Sequence, residues 1–151
     1  MPEWLYEDAV RSALAEEMRA DAKILLLGAD IAGADTSLAR EFGSDRIQAA
    51  SLDAEILIRF GIGAAVSGYK PIVTLPGPEA LMRAADTLIN DAVSRRYRSG
   101  GKVSVPLTVR VICRGPSPEA LFAHVPGLLL AAPATPYDVK GLWRTALRQA
   151  E

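Results

Sequence analysis

One cysteine and one histidine in 151 residues leave few of the side chains that most often carry chemistry. With Cys113 alone, no intramolecular disulfide can form. With His124 as the single imidazole, a zinc centre built from Cys and His ligands is not expected. Cys113 follows a β-branched, apolar stretch and reads as a small buried side chain. No apolar run approaches the roughly 18 residues that a membrane crossing requires. The start, Met1-Pro-Glu-Trp4, has no basic region followed by an apolar one, so no signal peptide is read. Charge of neither sign dominates, the net value being -1. Without a basic stripe, nucleic acid is not the expected partner. The densest basic cluster, Arg95, Arg96 and Arg98, closes a predicted helix, where cations suit the negative pole of the dipole. Together these absences lead to the expectation of a cytoplasmic protein in a reducing compartment.

What is present is ample core material. Hydrophobic residues make up 50 % of the chain and charged residues 23 %, enough for one ordinary domain over residues 1–151. Apolar residues at helical spacing (Leu5, Ala9, Ala13, Leu14, Met18) predict an amphipathic helix from Trp4 to about Ala20. Lys23–Leu27 is a short continuous apolar run ending at Gly28, which suits a strand buried on both faces. Further strands are expected at Arg46–Ala50, Pro71–Leu75, Val105–Cys113 and Gly127–Ala132. Helices are expected at Thr36–Phe42, Leu52–Ser67, Glu79–Tyr97 and Pro136–Gln149, with a short helix or turn at Pro118–Ala123. Strands alternate with helices, which implies a three-layer αβα sandwich around a mostly parallel sheet of about five strands.

Two segments carry a recognisable wording. One is Gly68-Tyr-Lys-Pro-Ile-Val73 with Asp86, Asn90 and Tyr97-Arg-Ser-Gly-Gly101. The other is His124-Val-Pro-Gly127, then Ala132-Pro-Ala-Thr-Pro-Tyr-Asp138 and Lys140-Gly-Leu142. Together they resemble the N-terminal pyrimidine-binding domain of the beta subunit of thiamine-diphosphate-dependent 2-oxo acid dehydrogenases, a transketolase-like domain. Weaker likeness at Leu27-Gly-Ala-Asp30 and Phe42-Gly-Ser-Asp-Arg46 extends it over nearly the whole chain. The resemblance implies half of a machine. An alpha-type partner holds the diphosphate through Mg²⁺, while a glutamate of this domain meets N1′ of the cofactor's pyrimidine. The cofactor then carries the hard chemistry, decarboxylation of a 2-oxo acid.

The positions that face the cofactor in that family are altered here. Aligned through Gly63-Ala-Ala65 and Gly68, the family glutamate falls at Ala54 and its small residue at Arg59. Glu55 and Asp53 are the weak substitutes, each displaced about 100° around the helix. The Gly-Glu-Asp-Val string of the family reads Gly28-Ala-Asp-Ile31, which puts Ala29 where the second glutamate stood. Leu75, Pro76, Gly77, Pro78 and Ala80 replace an aromatic platform. Arg114-Gly-Pro116 runs almost directly into Glu119 and His124, without the loop that bears the family's active-site histidine. His124 corresponds to a structural histidine and reads as locally satisfied. The fold-bearing strings persist while cofactor-facing positions are emptied, the pattern of a minimised, engineered or degenerate scaffold.

Three readings follow. In the first, the chain is a non-catalytic stand-alone scaffold with no catalytic residue, no cofactor and no metal. It would be no enzyme by itself and could self-associate through the largely apolar Leu52–Ser67 helix. In the second, it is the beta-type half of a 2-oxo acid dehydrogenase that completes a thiamine diphosphate and Mg²⁺ site with an alpha-type subunit. In the third, it binds an unrelated small molecule in the crevice at the C-terminal ends of the strands, with Asp30, Asp53, Thr74 and Arg114 as candidates. A nucleotide loop at Gly28–Gly33 is disfavoured, because Ala34-Asp35 stands where a Gly-Lys continuation is needed.

Overall fold

In the computed structural model, residues 5–28, 36–50 and 52–148 are described. Helix α1 spans Tyr6–Ala20 and leads into strand β1, Ile24–Gly28. Helix α2 (Thr36–Phe42) precedes β2 (Ile47–Ala49), and helix α3 (Ala54–Val66) precedes β3 (Lys70–Leu75). Then come α4 (Pro78–Arg83), a π-helical segment (Thr87–Val93) and α5 (Ser94–Arg98). Strand β4 (Thr108–Val111), α6 (Glu119–Phe122) and α7 (Pro136–Arg148) complete the order.

The four strands form one parallel sheet in the order β2-β1-β3-β4. Period-2 alternation sends their side chains into two separate cores. Ile24, Leu26, Ile47 and Ile72 pack with Ala9, Val10, Leu14 and Met18 of α1, Leu38 of α2 and Val139 and Leu147 of α7. Leu27, Val73 and Leu75 face the other way, against Ala54, Leu57, Ile58 and Ile62 of α3 and the helices that follow it. The helices on either face make this the αβα sandwich expected of alternating elements.

Helix α7 is drawn onto α1 by charge as well as by apolar contact. Lys140 Nζ lies 2.6 Å from Glu16 Oε1, and Arg148 Nη2 lies 2.9 Å from Glu17 Oε1. The hydrogen bond from Lys140, more than its charge, holds the Glu16 carboxyl below the usual glutamate range.

Three expectations need correction. The run Gly127–Ala132 forms no strand: Leu129 is 84 % exposed, and β4 remains the outer strand of the sheet. A strand needs a neighbour to pair its amides and carbonyls, and apolar composition does not supply one. The ladder of β4 covers only Thr108–Val111, so Cys113 lies beyond it and is exposed, not buried. Finally, the helix predicted at Glu79–Tyr97 is three consecutive pieces, with a turn at Ala84 and the π-helical segment in its middle.

Candidate functional site

The N-terminus of α3 is the first place to look, since the acid implied by the resemblance would stand there. Asp53 is its N-cap: Oδ1 accepts from the Glu55 amide at 2.9 Å, and the Asp53 carbonyl accepts from Leu57 at 3.0 Å. This is the ordinary stabilising use of an aspartate ahead of a helix. Ala54 is 4 % exposed and belongs to the α3-side core. Glu55 Oε1 accepts from Arg59 Nε at 3.2 Å and Nη2 at 2.9 Å, one helical turn on. Arg59 Nη1 also donates to Asp91 Oδ2 at 2.7 Å on the π-helical segment. The hydrogen bond to Glu55 comes first, with the charges of Asp91, Glu55 and Asp86, in holding Arg59 above the usual guanidinium range. The two substitutes for the missing acid are thus both engaged, one as a cap and one in a clamp joining α3 to the next helical segment.

Beyond that clamp, α3 and the residues just before and after it show apolar side chains to solvent. Leu52, Ile56, Phe60, Val66 and Tyr69 are each 45–53 % exposed. The bulky side chains of α3 are therefore divided: Leu57, Ile58 and Ile62 fill the core, while Ile56 and Phe60 stand outside it. Beside Phe60, a shallow hollow of about 330 Å³ is lined by Leu25, Leu27, Gly63 and Tyr69, with Gln48 and Asp45 among its polar residues. On the other flank, between α3 and the π-helical segment, a hollow of about 310 Å³ is lined by Arg59, Ile62, Val66, Asp91 and Arg95.

The crevice at the C-terminal strand ends is only partly as the sequence suggests. Asp30, Ala29 and the rest of the Gly28–Gly33 loop beyond Gly28 lie outside the described residues. Asp53 is occupied as a cap, and Arg114 is exposed past the end of β4. Thr74 is at the strand ends and 2 % exposed. Leu75 is fully buried, and Pro76 and Pro78 follow it with no aromatic ring among them. His124 is exposed in the turn after α6. Among the described residues, no group of three or more His, Cys, Asp or Glu side chains could hold a metal ion, and no helix is long and apolar enough to cross a membrane.

Two features of this region escaped the sequence reading. The Arg59 clamp joins residues 32 positions apart, although Glu55 and Arg59 alone have recognisable helix spacing. Arg110 stands beside Thr74 across the β3–β4 ladder. An arginine inside the otherwise apolar Thr108–Val111 strand was the available signal.

Comparison with known proteins agrees with this architecture. The family model described as "Transketolase, pyrimidine binding domain" matches residues 3–151. The 2-oxoisovalerate dehydrogenase subunit beta of Bacillus subtilis is 34 % identical, over 97 % of this chain and 49 % of that subunit. The pyruvate dehydrogenase E1 component subunit beta of Rhizobium meliloti is also 34 % identical, over 93 % of this chain and 34 % of that subunit. The chain thus spans about half or less of the length of these relatives. A solved structure described as a split gene transketolase, inactive beta4 tetramer, superposes with a TM-score of 0.76 at 18 % identity. It covers 96 % of this chain and 48 % of that one, a likeness of fold.

Proposed function

The chain belongs to the transketolase pyrimidine-binding domain family, and from that premise we propose that it serves as the beta-type half of a 2-oxo acid dehydrogenase-like assembly, docking an alpha-type partner through α3. The observation that carries this reading is the exposure of Ile56, Phe60 and Val66 on α3 and of Leu52 and Tyr69 at its two ends. A large apolar side chain gains about 1.5–3 kcal/mol on full burial, so covering a half-exposed one recovers about 1 kcal/mol. Five such residues on α3 and its two ends make a partner-covered state favourable, since exposed apolar surface is what an interaction site covers.

The described residues do not fit the acid contact that thiamine diphosphate requires of this domain. Ala54 has no carboxyl, Asp53 caps the helix, and Arg59 binds the Glu55 carboxylate. No step of the decarboxylation is therefore assigned to this half, and thiamine diphosphate and Mg²⁺ belong, in this reading, to the assembled complex. The same emptied position favours a second reading: a non-catalytic scaffold that pairs with its own copy through the same face of α3.

The two readings differ in what covers that face. Co-purification of the chain with an alpha-type 2-oxo acid dehydrogenase subunit, with mass in solution measured for each alone and together, separates them. A mixed complex that is lost on Phe60→Asp supports the beta-type role. A homodimer that ignores the alpha subunit and dissociates on the same substitution supports the scaffold. A monomer that captures nothing refutes both. Calorimetric titration with thiamine diphosphate and Mg²⁺, expected to give no heat with this chain alone, checks the account of Ala54.

A further inference from the structure

The hollow of about 310 Å³ between α3 and the π-helical segment has two arginines in its wall, and they are used differently. Arg59 holds two carboxylates, Glu55 at 2.9 Å and Asp91 at 2.7 Å. Arg95 is half-buried, and its Nε donates to the Asp91 carbonyl at 2.9 Å. Among the described residues, Nη1 and Nη2 of Arg95 meet no acceptor, and no carboxylate lies within ion-pair distance of them. The Asp91 side chain is turned to Arg59. The chain holds no further acid before Glu119, whereas Arg95, Arg96 and Arg98 follow Asp91.

This hollow adjoins the surface through which a partner is expected to dock. Val66 forms part of its wall, is 48 % exposed, and is one of the apolar residues a partner would cover. At about 100° per residue, Gly63 and Arg59 fall between Phe60 and Val66 on the circumference of α3. Gly63 is exposed, and a Cβ there would meet no atom within 4 Å, so the approach is open at that point. A partner that covers Phe60 and Val66 therefore also closes over Arg95. A guanidinium taken out of water without a counter-charge is destabilised by more than the cover of one half-exposed valine can offset. The contact is favourable only if the partner brings that counter-charge. Ile62 and Val66 suit the apolar stem of an incoming side chain, and the planar fork of Arg95 suits a carboxylate at its tip.

We propose that the alpha-type partner presents an aspartate or glutamate side chain to this hollow, where its carboxylate pairs with Nη1 and Nη2 of Arg95. The inference rests on the beta-type reading and adds to it the chemistry that the partner's contact surface must carry. Arg59, already held by Glu55 and Asp91, keeps the walls of the hollow in place and is not the receiving group.

The affinity of the chain for the alpha-type 2-oxo acid dehydrogenase subunit, measured by calorimetry at low and high salt, tests this. Arg95→Met keeps the apolar stem and removes the charge. It should weaken the mixed complex about tenfold or more, the loss of a hydrogen-bonded charge pair, and flatten the salt dependence. Arg95→Lys retains the charge without the fork and should recover part of that loss. Arg98→Met removes a neighbouring charge that does not line the hollow and should cost about twofold or less. Each variant alone should melt with the unmodified chain, since the one hydrogen bond of Arg95 is to a carbonyl of its own helical run. A mixed complex whose affinity is unchanged by Arg95→Met, or is weakened as much by Arg98→Met, overturns this inference and leaves the beta-type reading standing. Absence of any mixed complex, or a homodimer that ignores the alpha subunit, overturns both.

Discussion

Replacing Thr74 by valine should make the protein more stable in chloride buffer. Threonine and valine are both β-branched and share their preference for strands, so the backbone of β3 has no reason to move. What changes is one atom group. The hydroxyl, 2 % exposed at the residue level and without a partner among the described residues, becomes a methyl in a site that already carries Ile72 on the same face. A buried polar group without its hydrogen bond costs about 1–3 kcal/mol, and that cost disappears. For a chain of 151 residues, 1 kcal/mol moves the melting temperature by about 2–4 °C. A rise of roughly 2–12 °C is therefore expected by calorimetry, with a matching increase in the denaturant midpoint and no change in m-value. A loss of stability above about 0.5 kcal/mol on Thr74→Val would refute the reasoning, since it would mean that the hydroxyl has a partner worth keeping.

Three other outcomes are expected. Gly28→Ala should abolish folding or lower the melting temperature sharply, because the new Cβ would lie 2.4 Å from Thr74 O at a backbone φ of +150°; thermal melting of the variant checks it. Phe60→Asp, on the exposed face of α3, should dissolve any complex or homodimer seen by light scattering while lowering stability by only about 1 kcal/mol, the part of the ring that is buried. Stability should fall on acidification. Glu16 is held below its ordinary 4.5 chiefly by the hydrogen bond from Lys140, and Asp21 below its ordinary 3.8 chiefly by the Lys23 amide and then by Lys70. Groups with depressed folded values contribute their full stabilisation above the ordinary values and lose it as pH drops through the folded ones. Melting temperatures should therefore be level above about pH 5 and decline below about pH 4, with Lys140→Gln flattening the decline.

Much of the fold was legible because it rests on local pattern. Ile24–Leu27 is a continuous apolar run that only a doubly covered strand can use, and α1 and α7 carry amphipathic spacing that needs no partner to be recognised. Asp53, weighed in the sequence as a substitute acid and a crevice residue, serves instead as the N-cap of α3. The segment Gly127–Ala132 misled because a run of Gly, Leu and Ala records what a strand could bury, not whether a neighbouring strand offers its amides and carbonyls. Cys113 misled for the same reason, its burial having been inferred from a strand whose ladder ends at Val111. The π-helical segment departs from the 3.6-residue period on which the reading of Glu79–Tyr97 relied.

The candidate sites divide along the same line. By itself, the sequence determined the order of elements, the absence of an acid at Ala54 and the apolar character of α3, since each is a property of residue type and short-range spacing. Which half of α3 would face solvent was decided by its packing over Leu27 and Val73, which draws in Leu57, Ile58 and Ile62 and leaves Ile56 and Phe60 outside. The engagement of Glu55 also awaited the tertiary structure, because Asp91, the second partner of Arg59, lies 32 residues away. The pairing of Thr74 with Arg110 depends on the β3–β4 register, and the place of α1 on the core it shares with β1 and β3. Neither is encoded in any window of neighbouring residues: a ladder and a helix docking are long-range choices, fixed only when both cores are buried at once.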